Sequence, residues 1–330
     1  MAMGGSNLTR VGSDAGSSSG SFAYTAGAGS DTIVVGERFL KSGNGTFDMK
    51  LGGYNVLSLG ESSVTAGVFN YDGGSGTDVV VSSYRFAADA GNATFTMTAG
   101  GDNVLTLGKE AAQSGEITYH GGSGSDLLMF DEDLAEGGGQ VTVDMSLGGE
   151  NTFIASDSPA YNGTVTYTGG SQTDTIILAD SAAYSGTIIM DVSQGGQNTF
   201  LAGPDIAYGG TVTYTGGAGR DILGFGDTVA HSGTLRVDLG ADATADYIFF
   251  DDGNIGSSGT VTIQNFDQSD GDEIVIAGIT TGNIGYTQNG ADVDVASTGG
   301  ANTVTFRIDD TTVLALTSGH YNSSTGLVIA

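Results

Sequence analysis

The sequence predicts an all-β fold: a parallel β-solenoid of about 24-residue coils with a C-terminal β module. Three observations predict it. A turn motif recurs at fixed spacing, segments between the turns alternate polar and apolar residues, and the 330 residues include 58 glycines but only 2 prolines. Few prolines suit a continuous parallel ladder, because proline cannot donate a ladder hydrogen bond.

Two turn motifs alternate along the chain. The first, a Gly-x-Gly-x-Asp turn, ends in an aspartate, and these aspartates are separated by 47, 48, 48 and 47 residues: Asp31, Asp78, Asp126, Asp174 and Asp221. The second is a shorter Gly-Gly-x-Asn turn that falls midway between them and ends in Asn55, Asn103, Asn151 and Asn198. With degenerate copies at Asp246 and Asp272, the period is about 24 residues and predicts about 11 coils.

Each coil is predicted to hold two strands. A segment such as GTVTYT precedes the turn, and its alternation is typical of a half-buried strand. A second strand follows the turn residue, with apolar residues two and four positions later, as at Ile33 and Val35. A tyrosine column is predicted inside the stack, with methionines in the matching place of the intervening coils: Tyr24, Tyr71, Tyr119, Tyr167, Tyr214, Met49, Met97 and Met145.

The repeat divides the chain into three parts. Residues 1–20 are predicted to be a flexible Gly/Ser-rich N-terminal segment, and 21–278 to form the solenoid. Residues 279–330 are predicted to form a β-rich cap.

Composition excludes several classes of protein. There are 38 acidic and 9 basic residues, which gives a net charge of −29. The few cations cannot neutralise a run of phosphates, so we expect no nucleic-acid partner. No apolar run approaches the ~20 residues of a membrane span, so we expect no membrane insertion. The start of the sequence lacks the pattern of a cleaved signal peptide.

The turns at 73–81 (GGSGTDVVV) and 121–129 (GGSGSDLLM) resemble the calcium-binding nonapeptides of the RTX (repeats-in-toxin) family of type I secreted proteins. The resemblance implies a Ca²⁺ cofactor, held by the turn aspartates and glycine carbonyl groups. The carboxylates it implies are Asp31, Asp78, Asp126, Asp174 and Asp221. The glycines it implies are Gly74, Gly76, Gly122, Gly124, Gly217 and Gly219. Calcium suits such oxygen-rich turns.

The sequence departs from the family pattern in three ways. Its coils are longer than the family's 18 residues, every second turn has a neutral asparagine, and Gln172 replaces a motif glycine. A second interpretation therefore stays open, in which Asp and Asn form a hydrogen-bonded ladder along one edge. The segment 261–279 and the residues after it resemble the end of RTX proteins, and the resemblance implies that the cap, 279–330, includes a secretion-signal region. This implies export by type I secretion without an N-terminal signal peptide, and an extracellular or cell-surface location.

No enzyme motif is recognisable, and we predict that the chain is not an enzyme. Its nine Lys and Arg residues do not recur in phase, and His120, His231 and His320 occupy different coil positions. A polysaccharide-active β-helix enzyme is the least favoured alternative. The rows Thr164/Thr166/Thr168 and Thr211/Thr213/Thr215 resemble ice-binding solenoids. Equivalent coils carry Phe69-Asn70-Tyr71, Thr46-Phe47-Asp48 and Glu116-Ile117-Thr118, which predicts that the row is not sustained.

The leading functional prediction is a secreted structural protein of the bacterial surface. It self-assembles head to tail into a filament, surface layer or matrix, and calcium controls assembly. The alternative is a monomeric adhesin or a glycan- or ice-binding solenoid, with cell-surface polysaccharide as partner.

Overall fold

The computed structural model describes residues 5–251, 254–277, 284–297, 304–309, 320–322 and 326–329. Its 28 strands form two sheets of fourteen strands each, which we call sheet A and sheet B. Within these ranges the helical structure is limited to one 3₁₀ turn, Glu136–Gly138. No helix in the described ranges has the length and apolar character needed to cross a membrane. The predicted all-β class is therefore confirmed.

Sheet A collects the strands that follow the Asp/Asn turns. In spatial order they are β1 (Asn7–Val11), β3 (Asp31–Val35), β5 (Asn55–Leu59), β7 (Asp78–Tyr84), β9 (Val104–Lys109), β11 (Leu127–Phe130), β13 (Asn151–Ala155), β15 (Asp174–Leu178), β17 (Thr199–Ala202), β19 (Ile222–Phe225), β21 (Tyr247–Phe250), β23 (Glu273–Ile276), β28 (Gly326–Ile329) and β27 (His320–Asn322).

Sheet B collects the strands that precede the turns. In spatial order they are β2 (Ser21–Thr25), β4 (Asn44–Asp48), β6 (Val68–Asp72), β8 (Asn92–Thr96), β10 (Glu116–His120), β12 (Gln140–Asp144), β14 (Thr164–Thr168), β16 (Thr187–Asp191), β18 (Thr211–Thr215), β20 (Thr234–Asp238), β22 (Thr260–Gln264), β26 (Thr305–Ile308), β25 (Asp292–Ser297) and β24 (Ile284–Asn289).

The coils stack in register, one strand per sheet per coil. Strands β1 to β21 each pair in parallel with the strand two places on, and turn residues align, as in the pair Asn151 and Asp174. Eleven complete coils run from β2 to β23, which confirms the predicted solenoid and its period of about 24 residues. Antiparallel strands then finish both sheets, β28 and β27 in sheet A and β25 and β24 in sheet B. They form the C-terminal β module.

The core lies between the two sheets. Tyr71, Tyr119, Tyr167 and Tyr214 are fully buried in one column, as predicted. The prediction that methionines fill the intervening places of this column is wrong. The residues that pair with these tyrosines are Phe47, Phe95, Val143 and Met190. Met49, Met97 and Met145 are also buried, but two residues later, where the chain enters the turn. A shift of two residues keeps a strand side chain on the same face, so alternation alone could not distinguish the two columns.

The loops that close the coils are also regular. In most coils two residues, such as Ser158 and Ala160, adopt left-handed backbone angles at alternate positions. The first donates its N–H to the next coil and the second to the preceding coil, through Asp180 O and Leu134 O. These bonds offset the cost of roughly 1–2 kcal/mol for a non-glycine residue in this conformation. Pairing between coils therefore continues around the loops.

The N-terminal segment differs from the expectation of a flexible tail. Within its described residues, 5–20, strand β1 pairs in parallel with β3 over five positions, and Asp14 forms an ion pair with Arg38. Ordered structure thus begins one strand before the first predicted coil. Side chains of Asn7–Val11 alternate between partly buried and exposed, as in the other strands. The Gly/Ser-rich composition of the segment concealed this strand pattern.

Candidate functional site

The turn residues form a continuous polar ladder inside the solenoid. Every member is buried, with an exposed fraction of 3% or less. In chain order the members are Asp31, Asn55, Asp78, Asn103, Asp126, Asn151, Asp174, Asn198, Asp221, Asp246 and Asp272. Because each begins or directly precedes a strand of sheet A, stacking the coils places all eleven in one file.

Each asparagine connects the aspartates on its two sides. The backbone N–H of Asp78 donates to Asn103 Oδ1 at 3.0 Å, and Asn103 Nδ2 donates to Asp126 Oδ1 at 2.9 Å. The backbone N–H of Asn103 donates to the same carboxylate oxygen at 2.9 Å. The same pattern recurs at Asn151 and Asn198. An amide both accepts and donates, so it accepts the backbone N–H of the preceding aspartate and donates to the carboxylate of the following one.

Tyrosine hydroxyl groups face the carboxylates from sheet B. Tyr71 Oη donates to Asp78 Oδ1 at 3.0 Å. In three later coils the corresponding hydroxyl and the Oδ2 that faces it are buried, and neither has a partner in hydrogen-bonding geometry in the described part of the chain: Tyr119/Asp126, Tyr167/Asp174 and Tyr214/Asp221. Burial, and then the facing carboxylate, raise the pKa of these three tyrosines well above its usual value.

Sequence reasoning treated these tyrosines only as core residues. The signal it missed is a constant spacing, because each tyrosine precedes its aspartate by seven residues. Coils that carry Asn have Phe47, Phe95, Val143 or Met190 at that place. A tyrosine hydroxyl therefore faces the aspartate in these coils, and no hydroxyl faces the asparagine in the coils between them.

Burial also raises the pKa of the ladder carboxyl groups. The pKa of Asp126 and of Asp221 is raised to about 6, mainly by desolvation, against the hydrogen bonds from the neighbouring Asn and Tyr. Desolvation raises the pKa of Asp78, Asp174 and Asp272 as well. The carboxyl groups of Asp126 and Asp221 therefore titrate at about pH 6.

Asp246 has the most perturbed of these carboxyl groups. Its pKa is raised to about 7 by desolvation, with added repulsion from Asp221 and Asp272. No asparagine separates these three residues, and their ladder contacts are backbone N–H groups donating to Asp246 Oδ1 at 2.7 Å and Asp272 Oδ1 at 2.9 Å. The coils of Asp246 and Asp272 also have Val237 and Ile263 where tyrosine would stand. Asp246 thus lacks the asparagine and the tyrosine that accompany Asp78, Asp126, Asp174 and Asp221.

The turn glycines are required by close stacking of the turns. A Cβ on Gly76, Gly124 or Gly219 would lie within 2.1 Å of a carbonyl oxygen of the neighbouring turn. At Gly74, Gly122 and Gly217 it would lie 2.7 Å from that turn's backbone. A Cβ on Gly73 would meet Asp78 Oδ2 at 2.6 Å, because the carboxylate folds back over the turn. The turn pattern follows from packing without a metal.

The donor set does not fit the calcium site that the RTX resemblance implies. Calcium takes 6–8 oxygen ligands, whereas the carboxylates of Asp31, Asp78, Asp126, Asp174 and Asp221 point into the core, about 9–10 Å apart with amides between them. Their Oδ1 atoms already accept hydrogen bonds from the ladder. Among the described residues, no group of three or more His, Asp or Glu is placed to hold a metal ion.

The basic residues lie scattered on the surface. Lys50 pairs with Asp72, Lys109 with Glu132, and Arg307 with Asp294. His231 stacks on Tyr208 at 4.8 Å between ring centroids, at the end of a file that continues through Tyr184 and Tyr161. His120 lies 3.6 Å from Asp144, and the side chain of His320 is outside the described residues. That the chain is not an enzyme stays a prediction.

The threonine rows are better sustained than the sequence interpretation held. Pairing in sheet B places Phe69 and Ile117 on the inner side, so these two residues do not interrupt the outward row. The central outward column is mostly threonine: Thr46, Thr94, Thr118, Thr142, Thr166, Thr213 and Thr262, with Ala23, Asn70, Ile189 and Arg236 between them.

Comparisons with protein-family models, with curated proteins and with solved structures each give no match. The RTX resemblance therefore stays a prediction from the turn motifs.

Replacing Tyr71 with Phe is expected to lower the free energy of unfolding by about 1–3 kcal/mol, because a buried carboxylate loses a donor. The pKa of Asp78 rises further in the variant, so the loss is larger at pH 8 than at pH 5. Urea denaturation at both pH values measures it, with Tyr161→Phe in the surface ring file as control. Equal, small losses in both variants would contradict a ladder role for the hydroxyl.

Proposed function

We propose that this chain is a secreted structural protein that assembles head to tail through the ends of its solenoid, at the cell surface or in an extracellular matrix. One observation carries the proposal: among the residues that the structure describes, the core is open at the N-terminal end of the stack. The inward side chains of the first coil, Phe22 and Tyr24, are only partly buried, whereas Phe47 and Tyr71 in the following coils are fully buried.

The free strand edges favour joining in one direction. Sheet A ends in β1 and β27, and sheet B ends in β2 and β24, so each sheet presents one unpaired edge at each end of the stack in the described chain. Exposed edges are templates for pairing with another chain. Joining N-terminal to C-terminal ends extends both sheets, and such a heterologous contact produces an open polymer.

The polar ladder is also open at this end. Asn7 continues the ladder below Asp31, and its side chain donates to that carboxylate. In the later coils, by contrast, the asparagine Oδ1 accepts a backbone N–H from the preceding coil, as Asn55 does from Asp31. At the other end, Asp272 accepts from Asp267 within its own turn. A cavity of about 550 Å³, lined by residues 6–9 and 23–25, lies at the open coil.

Calcium enters this proposal only as a screening cation. The Oδ1 atom of each turn aspartate from Asp31 to Asp221 already accepts a hydrogen bond within the ladder, so we expect the fold to form in EDTA. With a net charge of −29, however, copies repel each other, and divalent cations reduce that repulsion.

Electron microscopy and sedimentation velocity test the proposal, with Ca²⁺, with Mg²⁺ and in EDTA. We expect polymers favoured by either cation, and a circular dichroism spectrum unchanged by EDTA. Tyr24→Glu places a charge in the proposed joint and is expected to abolish polymers, whereas Thr142→Glu, exposed on the outer face of sheet B in the middle of the stack, is the control. A monodisperse monomer at high concentration under every condition would overturn the proposal.

A second candidate function is ice or glycan binding by the outer face of sheet B. The observation that favours it is the threonine column, whose hydroxyls repeat about every 4.8 Å along a flat face. Binding of ice or polysaccharide by the monomer, lost in Thr166→Lys, is the expected result for this alternative.

A further inference from the structure

The outer face of sheet A is apolar along the solenoid. We define the apolar face as the two outward side chains of each sheet A strand from β3 to β21. These twenty positions hold thirteen apolar residues, six Thr or Ser residues and Gly224, and no charged residue. Val34, Val81, Leu201, Ile222 and Phe249 are each 38–40% exposed.

The outer face of sheet B has the opposite character. Its outward positions include Asp72, Glu116, Asp144, Asp191 and Arg236 among the threonines. Both faces belong to the same coils of a chain with 38 acidic residues. The absence of charge from the apolar face is therefore a local property and not a consequence of composition.

Strand sequences show the same asymmetry. Strand β15 reads DTIIL and β7 begins DVVV, whereas β14 and β18 in sheet B both read TVTYT. The solenoid core uses Ile176 and Leu178 of β15, but Ile177 points outward. Continuous apolar runs are typical of parallel strands that are covered on both faces.

We propose that a second copy of this chain covers the apolar face, so that two solenoids pack with their A sheets face to face. Ten strands about 4.8 Å apart and about 17 Å long give a face of roughly 800 Å². A standard protein–protein interface buries about 800 Å² per partner. The largest apolar patch of a typical monomer is smaller, about 300–600 Å². The face therefore has the area that a stable dimer needs.

Charge selects this face for contact between copies. Each copy has a net charge of −29, so association is opposed wherever carboxylates meet. Outside the apolar face, the nearest outward positions on sheet A carry Arg10 on β1 and Glu273 on β23. A two-fold axis that reverses one solenoid brings Arg10 of each copy toward the Glu273 end of the other. Such an isologous contact is closed, so it stops at two copies.

Lateral pairing is independent of head-to-tail assembly, because it uses a different surface. A filament whose unit is a pair of solenoids follows if both occur. Lipid is disfavoured as the occupant, since an anionic chain is repelled by anionic bilayers.

The experiment is sedimentation equilibrium in the Tyr24→Glu background, which blocks the ends and leaves the apolar face intact. We expect a dimer. Val81→Asp and Leu201→Asp together place two charges in each copy's face and are expected to weaken dimerisation by at least ~100-fold. The matched control is Ile189→Asp, which changes an equally exposed apolar residue on the outer face of sheet B.

The possible results separate clearly. Loss of the dimer in the double variant, with the control still dimeric, supports the proposal. A monomer in the Tyr24→Glu background at all concentrations, or a dimer that the double variant leaves unchanged, overturns it. Binding of the monomer to phosphatidylcholine vesicles through Val81 and Leu201 would also overturn it, in favour of a lipid surface. Failure of polymers with a surviving dimer would contradict only the head-to-tail proposal.

Discussion

Replacing Asn151 with Asp is expected to lower the free energy of unfolding by about 3–5 kcal/mol at pH 8 and by about 1–2 kcal/mol at pH 5. Asn151 lies in the ladder between Asp126 and Asp174 and is 1% exposed. Its Nδ2 donates to Asp174 Oδ1 at 3.1 Å and to the carbonyl oxygens of Gly148 and Gly149 at 3.2 and 3.1 Å. A carboxylate there donates none of these bonds.

Electrostatic repulsion sets the size of the effect and its pH dependence. At an effective dielectric constant of about 20, two charges about 4.8 Å apart repel by about 3.5 kcal/mol, and the new carboxylate has two such neighbours. Protonation limits the loss. Neutralising a carboxyl with an ordinary pKa of about 3.9 costs about 5.6 kcal/mol at pH 8 but only about 1.5 kcal/mol at pH 5.

Urea denaturation of Asn151→Asp at the two pH values measures the effect. Asn162→Asp makes the same charge change at an exposed loop residue and is expected to stay within about 0.5 kcal/mol of the parent. A loss at Asn151 that is the same at pH 5 and pH 8 would contradict repulsion along the ladder and leave only the lost hydrogen bonds.

The sequence determines the ladder's order but not the direction of its side chains. Spacing alone placed Asp126 and Asn151 in one file, and the structure confirms the coils that align them. A turn carboxylate can point outward to a cation or inward to the core. Which of the two it does depends on the side chain that faces it inside the core. That partner, Tyr119, lies on the other sheet, and an aromatic residue in a core column has the same pattern whether or not its hydroxyl is used.

The apolar face was missed for a similar reason. An apolar residue after a turn fits a buried strand equally well at Ile176 and at Ile177, and only pairing shows which one points outward. Register also explains the corrected threonine column, because Thr118 and Ile117 exchange faces when the alignment moves by one residue. The repeat and the strands within one coil could be predicted from the sequence. The face on which a side chain lies depends on how neighbouring coils pair, so it required the register.

The chain is expected to be more stable at pH 5 than at pH 8, with the free energy of unfolding falling by about 3–5 kcal/mol over that range. In the folded chain the pKa is about 6 for Asp126 and Asp221 and about 7 for Asp246. In the unfolded chain an aspartate has a pKa of about 3.9. Between these values the folded state binds more protons, so its advantage is complete below about pH 4 and is lost as the pH rises through 6 and 7.

The Asp246→Asn variant tests this prediction most directly. An amide there removes the group with the highest of these pKa values and restores the alternation between Asp221 and Asp272, so about half of the pH dependence is expected to disappear. Asp294→Asn is the control, because Arg307 lowers the pKa of that exposed carboxyl and its loss leaves the dependence in place. Urea denaturation from pH 5 to pH 8 in the Tyr24→Glu background separates folding from assembly. An unfolding free energy that rises with pH over this range would show that the ladder carboxyls are ionised and stabilised by a charge partner.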